Sequence, residues 1–236
     1  MYSLKQALLP LSLGLMFAQT GFAVELAKFT NQDGMVACSD ENVMKGPFAA
    51  GWEDGNLRKG FRDYVVCIDA ANKVVLKGRY LPDTRGTTFI KKVTWDVSSN
   101  PIIQWRWRVQ KWPPGAKTDD DSKRDAAASV YVTLKDGYKG LVIKYIWSEQ
   151  EKVGTQYKRG RWNPMGSLVG EVVRTGGKTG EWVTERRNVI EDFERLYKRK
   201  YTGLSGGGIG VMSDGDQTKS QPEADYADFE ALPALK

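Results

Sequence analysis

Residues 101–109 read P-I-I-Q-W-R-W-R-V, and their hydrophobic period is two. An extended segment sends alternate side chains to opposite faces. Ile103, Trp105, Trp107 and Val109 therefore share one face, and Gln104, Arg106 and Arg108 the other. A strand with two tryptophans on one side and two arginines on the other must separate a packed interior from polar surroundings. Because Ile103 and Val109 keep the tryptophan parity, that face reads as core and the arginines read as outward.

The rest of the chain follows the same grammar. Strands are expected at 64–69 and 73–78, joined by an Ala71-Asn72 turn, and at 90–97, 127–134 and 141–147. Others are expected at 169–174 and 181–186, around the turn 175–180, and at 209–212 and 225–232. Residues 24–60 are turn-rich, with Trp52 and Phe61 as anchors. Residues 150–164 read as a polar loop carrying Lys152, Lys158, Arg159 and Arg161, and 206–208 as a glycine hinge. One helix is expected at 188–200, with Asn188 as cap, Glu191 as its capping-box partner and Val189, Phe193, Leu196 and Tyr197 as apolar stripe. Many short strands and one short helix near the C-terminus predict an all-β chain, an antiparallel β-sandwich forming a single domain over 24–236.

The first residues read as a signal peptide, 1–23. Lys5 is the positive segment, 7–18 the short apolar run, and Ala23 the small residue at the cleavage point. No later stretch approaches the ~20 apolar residues of a membrane span, so the mature chain is expected in the periplasm or secreted, with no transmembrane segment. Two cysteines in an exported chain read as one disulfide, Cys38–Cys67, with two buried free thiols as the alternative. The net charge of +6 suits an anionic partner such as an acidic glycan or a membrane surface, and also suits a protein binding neither.

Histidine is absent. That excludes Ser-His-Asp and Cys-His catalysis, His-ligated zinc and any imidazole acid or base. Two cysteines cannot build a four-cysteine metal site. Carboxylates, Arg, Lys, Tyr, aromatic faces or a hard cation remain. Gly176-Gly177-Lys178-Thr179 is no phosphate loop, since Val172 stands where the motif needs glycine. Asp214 and Asp216, spaced by one glycine, can share a calcium ion, although the EF-hand spacing is missing; otherwise they cap turns. No other cofactor is expected. Asp119-Asp120-Asp121 reads as a solvated loop, whereas Asp125 immediately precedes a strand and can reach a binding face. The ligand-binding candidates are Arg106, Arg108, Tyr131, Asp125 and Arg187. Eight tryptophans and ten tyrosines could also supply a platform for sugar rings.

The order of W-R-W-R-V, R-N-V-I-E-D-F and S-D-G-D-Q-T resembles the bacterial family catalogued as domain of unknown function 3047, from about Trp52 to Phe229. The chain departs from the family pattern at Ser129, where Arg is expected, so no role of that Arg carries over. The resemblance implies an exported jelly-roll sandwich similar to galactose-binding-like and carbohydrate-binding modules, and brings no activity with it. The expected function is a non-catalytic binding module for saccharide or cell-envelope glycan, with no nucleic-acid partner. The alternatives are a polysaccharide-acting hydrolase or lyase using carboxylates, and an envelope assembly protein using the 150–164 loop.

Overall fold

The computed structural model describes residues 22–55, 63–81, 86–163 and 166–234, without the side chains of 159–163. The expected signal segment, apart from Phe22 and Ala23, and the expected anchor Phe61 lie outside the described residues, as do the side chains of Arg159 and Arg161. The chain runs β1 (Val24–Ala27), β2 (Glu53–Asp54), β3 (Tyr64–Ile68), β4 (Val74–Arg79), β5 (Phe89–Lys91), β6 (Ile102–Lys111) and β7 (Ala126–Asp136). It continues β8 (Lys139–Ser148), β9 (Gln156–Asn163), β10 (Gly166–Thr175), β11 (Val183–Asn188), α1 (Val189–Tyr197), β12 (Ser205–Asp214) and β13 (Glu223–Leu232).

These strands form two sheets, ordered β11-β6-β13-β4-β3 with β1 also on β13, and β2-β5-β12-β7-β8-β10-β9. The expected jelly-roll β-sandwich is what forms. Its core lies where β6 faces β7 and β8. Trp105 and Trp107 are fully buried there, and Trp105 stacks 5.4 Å from Tyr145 while Trp107 lies 5.3 Å from Trp147. The period-two reading of 101–109 holds along all of β6, with Gln104, Arg106 and Arg108 partly exposed between buried neighbours.

Three details differ from expectation. The pairing is not wholly antiparallel, because β10 runs parallel to β8. The segment expected as a basic loop supplies the cause: residues from Gln156 form edge strand β9, which returns along the sheet before β10 inserts beside β8. The strand expected over 90–97 stops at Lys91. Asp96 turns the chain instead, accepting from the Ser98 N–H at 2.9 Å. Residues 206–208 are not a hinge but part of continuous β12. Glycine is needed at 206 because a Cβ there would lie 2.0 Å from the Trp95 ring.

Helix α1 begins as expected. Asn188 Oδ1 accepts from the N–H groups of Ile190 and Glu191 at 3.1 and 3.3 Å, and its Nδ2 donates to Glu191 Oε1 at 2.7 Å. Val189, Phe193 and Leu196 are buried against the sandwich. Cys38 and Cys67 form the expected disulfide, tying the N-terminal segment to β3 across a separation of 29 residues. Converting both to serine is expected to lower stability by about 3–4 kcal/mol, chiefly through the freed unfolded chain, as read from urea unfolding of the two proteins.

Candidate functional site

On the face of the second sheet turned away from the core, Tyr131, Val142, Ile146, Leu168 and Val172 make a separate apolar cluster. Lys144 stands among them, only 3% exposed. Its ammonium lies 5.4 Å from the Tyr131 ring centroid and 5.9 Å from that of Tyr157. Burying an ammonium is costly unless it is compensated. Burial works against its charge, but the polar groups of Tyr131 and Tyr157 and the nearby Asp214 carboxylate outweigh it and leave Lys144 more basic than an ordinary lysine. Gly170 of β10 makes room for this arrangement, since a Cβ there would lie 2.1 Å from the Tyr157 ring.

Asp214 closes β12, and buried tyrosines fix that strand end from within the core. The Tyr64 hydroxyl accepts from the Ser213 N–H at 3.0 Å and donates to the Thr87 carbonyl at 3.0 Å. The Tyr226 hydroxyl donates to the Met212 carbonyl at 3.0 Å. Residues 86–88 are thereby drawn across the strand end, so close that a Cβ on Gly86 would lie 2.0 Å from Asp214 Oδ1.

Asp125, just before β7, holds the loop after β12 back against Asp214. Its Oδ2 accepts from the Thr218 N–H and hydroxyl, both at 2.6 Å, and its Oδ1 accepts a long 3.4 Å bond from the Gln217 N–H. One carboxylate oxygen each from Asp125, Asp214 and Asp216 then lie within 4.8 Å of one another. Oδ1 of Asp214 and Oδ1 of Asp216 are buried without a hydrogen-bond partner. Burial pushes the Asp214 carboxyl up to about 7; Lys144 opposes that shift, and Asp216 and Asp125 add to it. Asp216 is raised as well, by burial and then by Asp125. Tyr131, also buried, is pushed up to about 12 and donates its hydroxyl to Met212 Sδ at 3.1 Å.

Together these groups enclose a pocket of about 230 Å³. Lys144, Tyr131, Tyr157 and Asp214 line its interior, and Thr88, Arg124 and the exposed Gln217 border it. Arg124 lies 4.3 Å from the Tyr157 ring centroid and pairs with Asp121, which gives the aspartate run 119–121 one member at the pocket.

The sequence candidates are thus divided. Asp125, Tyr131, Asp214 and Asp216 converge here. Arg106 and Arg108 lie on the other sheet, paired with Asp228 at 3.0 Å and Asp225 at 2.6 Å, and both guanidinium groups lie within 5 Å of the Trp182 ring. Arg187 is elsewhere again, holding Asp192 of α1 by two bonds of 2.9 and 2.7 Å. The exposed aromatic platform does not form from Trp52, Trp95, Trp105, Trp107 or Trp147, all of which are buried. Lys144, Tyr157, Arg124 and Gln217 were missed. Lys144 did carry a signal: it is the one charge inside the apolar run of β8.

A family model described as "Protein of unknown function (DUF3047)" matches residues 50–230, most of the chain. The protein belongs to this family. A sequence search of curated proteins returned no match. Among solved structures, the chain is similar to the carbohydrate-binding module TmCBM61 in complex with β-1,4-galactotriose, at 12% identity and a TM-score of 0.36. That likeness covers 83% of this chain and 97% of that one. It is also similar to the xyloglucanase domain of NopAA, a type three effector from Sinorhizobium fredii, at 9% identity, TM-score 0.41, covering 78% and 93% of the two chains. A family 12 xyloglucanase from Bacillus licheniformis gives 6%, 0.39, 78% and 88%. At these values the likenesses carry no argument about this family member and give none of its residues a role. No helix among the described residues is long and apolar enough to cross a membrane.

Proposed function

We propose that the protein is an exported, non-catalytic binding module that takes a saccharide unit of an envelope glycan into the pocket built around Lys144. The observation carrying this reading is the pocket itself. Its ammonium, carboxylate and tyrosine groups are carried on strands rather than loops, and donors and acceptors both line a space of about 230 Å³. A polyhydroxylated ring asks for that mixture, because each hydroxyl both donates and accepts. The Cys38–Cys67 disulfide supports an oxidising compartment, periplasmic or extracellular.

Calorimetric titration with a panel of neutral and acidic oligosaccharides tests it. At least one ligand is expected to bind, with Gln217→Ala and Arg124→Ala each weakening it roughly tenfold, the loss of one or two polar contacts. Arg106→Ala, on the opposite sheet, is expected to leave binding unchanged. If Arg106→Ala weakens binding and the pocket variants do not, the site is the arginine face. Chain cleavage during the titration, lost in Asp214→Asn, would replace the binding reading with the carboxylate-enzyme alternative.

A further inference from the structure

We infer that Asp125, Asp214 and Asp216 form a calcium site at one wall of the pocket. The inference stands apart from the saccharide reading, because the carboxylates are assembled by the fold whether or not a sugar binds.

Three observations carry it. The first is spacing. Opposed oxygens of a calcium ion coordinated at about 2.3–2.6 Å lie about 5 Å apart, and the three carboxylate oxygens fall within 4.8 Å of one another. The second is the state of those oxygens. Asp214 is 7% exposed, yet its Oδ1 has no partner, and the buried Oδ1 of Asp216 has none either. Asp125 commits Oδ2 to Thr218 and leaves Oδ1 with only the long contact from Gln217. A buried carboxylate oxygen without a donor is expensive, and a loop bent to gather several needs a compensating charge.

The third observation is the charge balance. Three carboxyl groups meet here, exposed Lys219 lies near Asp216, and Lys144 is the buried cation beside them. It cannot fill the gap between the carboxylates, because its ammonium is positioned between the Tyr131 and Tyr157 rings. Lys219 donates to the Asp216 carbonyl at 2.7 Å, so neither lysine bridges the carboxyl oxygens, and a divalent ion would offset their mutual repulsion. The donor set selects the metal. It is all oxygen, in a chain with no histidine and with both cysteines in the disulfide, so it favours a hard ion over zinc or copper. Carboxylates carried on a strand end and a loop suit the tolerant geometry of calcium better than the strict octahedron of magnesium.

The test uses the full, disulfide-intact protein stripped of metal with a chelator and then titrated with calcium chloride in the absence of saccharide. Saturable one-to-one binding by calorimetry and a rise of several degrees in melting temperature are expected. Asp216→Asn should weaken calcium binding at least tenfold. Asp214→Asn should melt higher than the metal-free parent, since a repulsive charge is gone, and should no longer respond to calcium. That gain separates loss of the site from loss of the fold. Asp228→Asn, an exposed carboxylate on β13, should bind as the parent does. Absence of saturable binding would overturn the inference, as would an unchanged calcium response in both pocket variants or equal affinity for magnesium. Because no sugar is present, none of these outcomes bears on the saccharide reading, and a failed saccharide titration leaves the calcium result intact.

Discussion

Trp105→Ala is expected to destabilise the protein by about 3–5 kcal/mol, measured as the shift in the urea unfolding curve, while Arg106→Ala on the next position should cost less than about 1 kcal/mol. The contrast follows from alternation along one strand. Trp105 is fully buried, stacked on Tyr145 and set edge-on against Trp107 at 5.3 Å, so truncation opens a cavity that rigid strands on both sides cannot close. Arg106 is over a third exposed and pairs with Asp228, itself more than half exposed, where water already screens the charges. Equal costs at the two positions would show that the two faces of β6 are not divided into interior and surface.

Asp225→Ala is expected to be as damaging, about 3–5 kcal/mol, for an electrostatic reason. The Asp225 carboxylate is completely buried on β13. Its Oδ2 accepts from Arg108 Nε at 2.6 Å and Gln110 Nε2 at 2.8 Å, and its Oδ1 lies 3.4 Å from the ammonium of Lys77, itself buried. Alanine would leave two cations and an amide facing one another with part of their counter-charge gone. Lys77 would keep Glu223, which is why the loss is bounded rather than complete. Asp228→Asn, three residues along the same strand, is the comparison, with less than about 1 kcal/mol expected, since asparagine also suits the left-handed backbone there. If Asp225→Ala unfolds no more easily than Asp228→Asn, Arg108 is not held as a structural group and its candidacy as a ligand contact revives.

The reason the arginines drew attention in the sequence, and the reason they are tied up in the fold, is the same. A period-two strand shows which side chains leave the core, but not what lies opposite them. Asp225 and Asp228 are more than a hundred residues downstream and reach Arg108 and Arg106 only because β13 pairs antiparallel with β6. Arg187 behaves likewise. Its partner Asp192 is near in sequence, on the first turn of α1, so that pairing was within reach of a helix-start reading, yet its exact geometry depends on how the helix docks.

Local sequence is enough to specify the strand alternation at 101–109, the helix start at Asn188 and the exclusion of histidine chemistry, and it makes the cysteine pair the first of two readings. Each depends on local periodicity, local capping or composition, which need no knowledge of distant contacts. It also marked Asp214 and Asp216, because they are neighbours in one loop. Tertiary structure alone decided that Asp125, some ninety residues earlier, closes that pair into a triad by accepting from Thr218, and that Lys144 meets Tyr131 and Tyr157 on the outer sheet face. The physical reason is register. Which residues of β7, β8, β10 and β12 stand side by side is set by inter-strand hydrogen bonds and by the parallel insertion of β10, and a shift of one residue would send Lys144 into the core and dissolve the site.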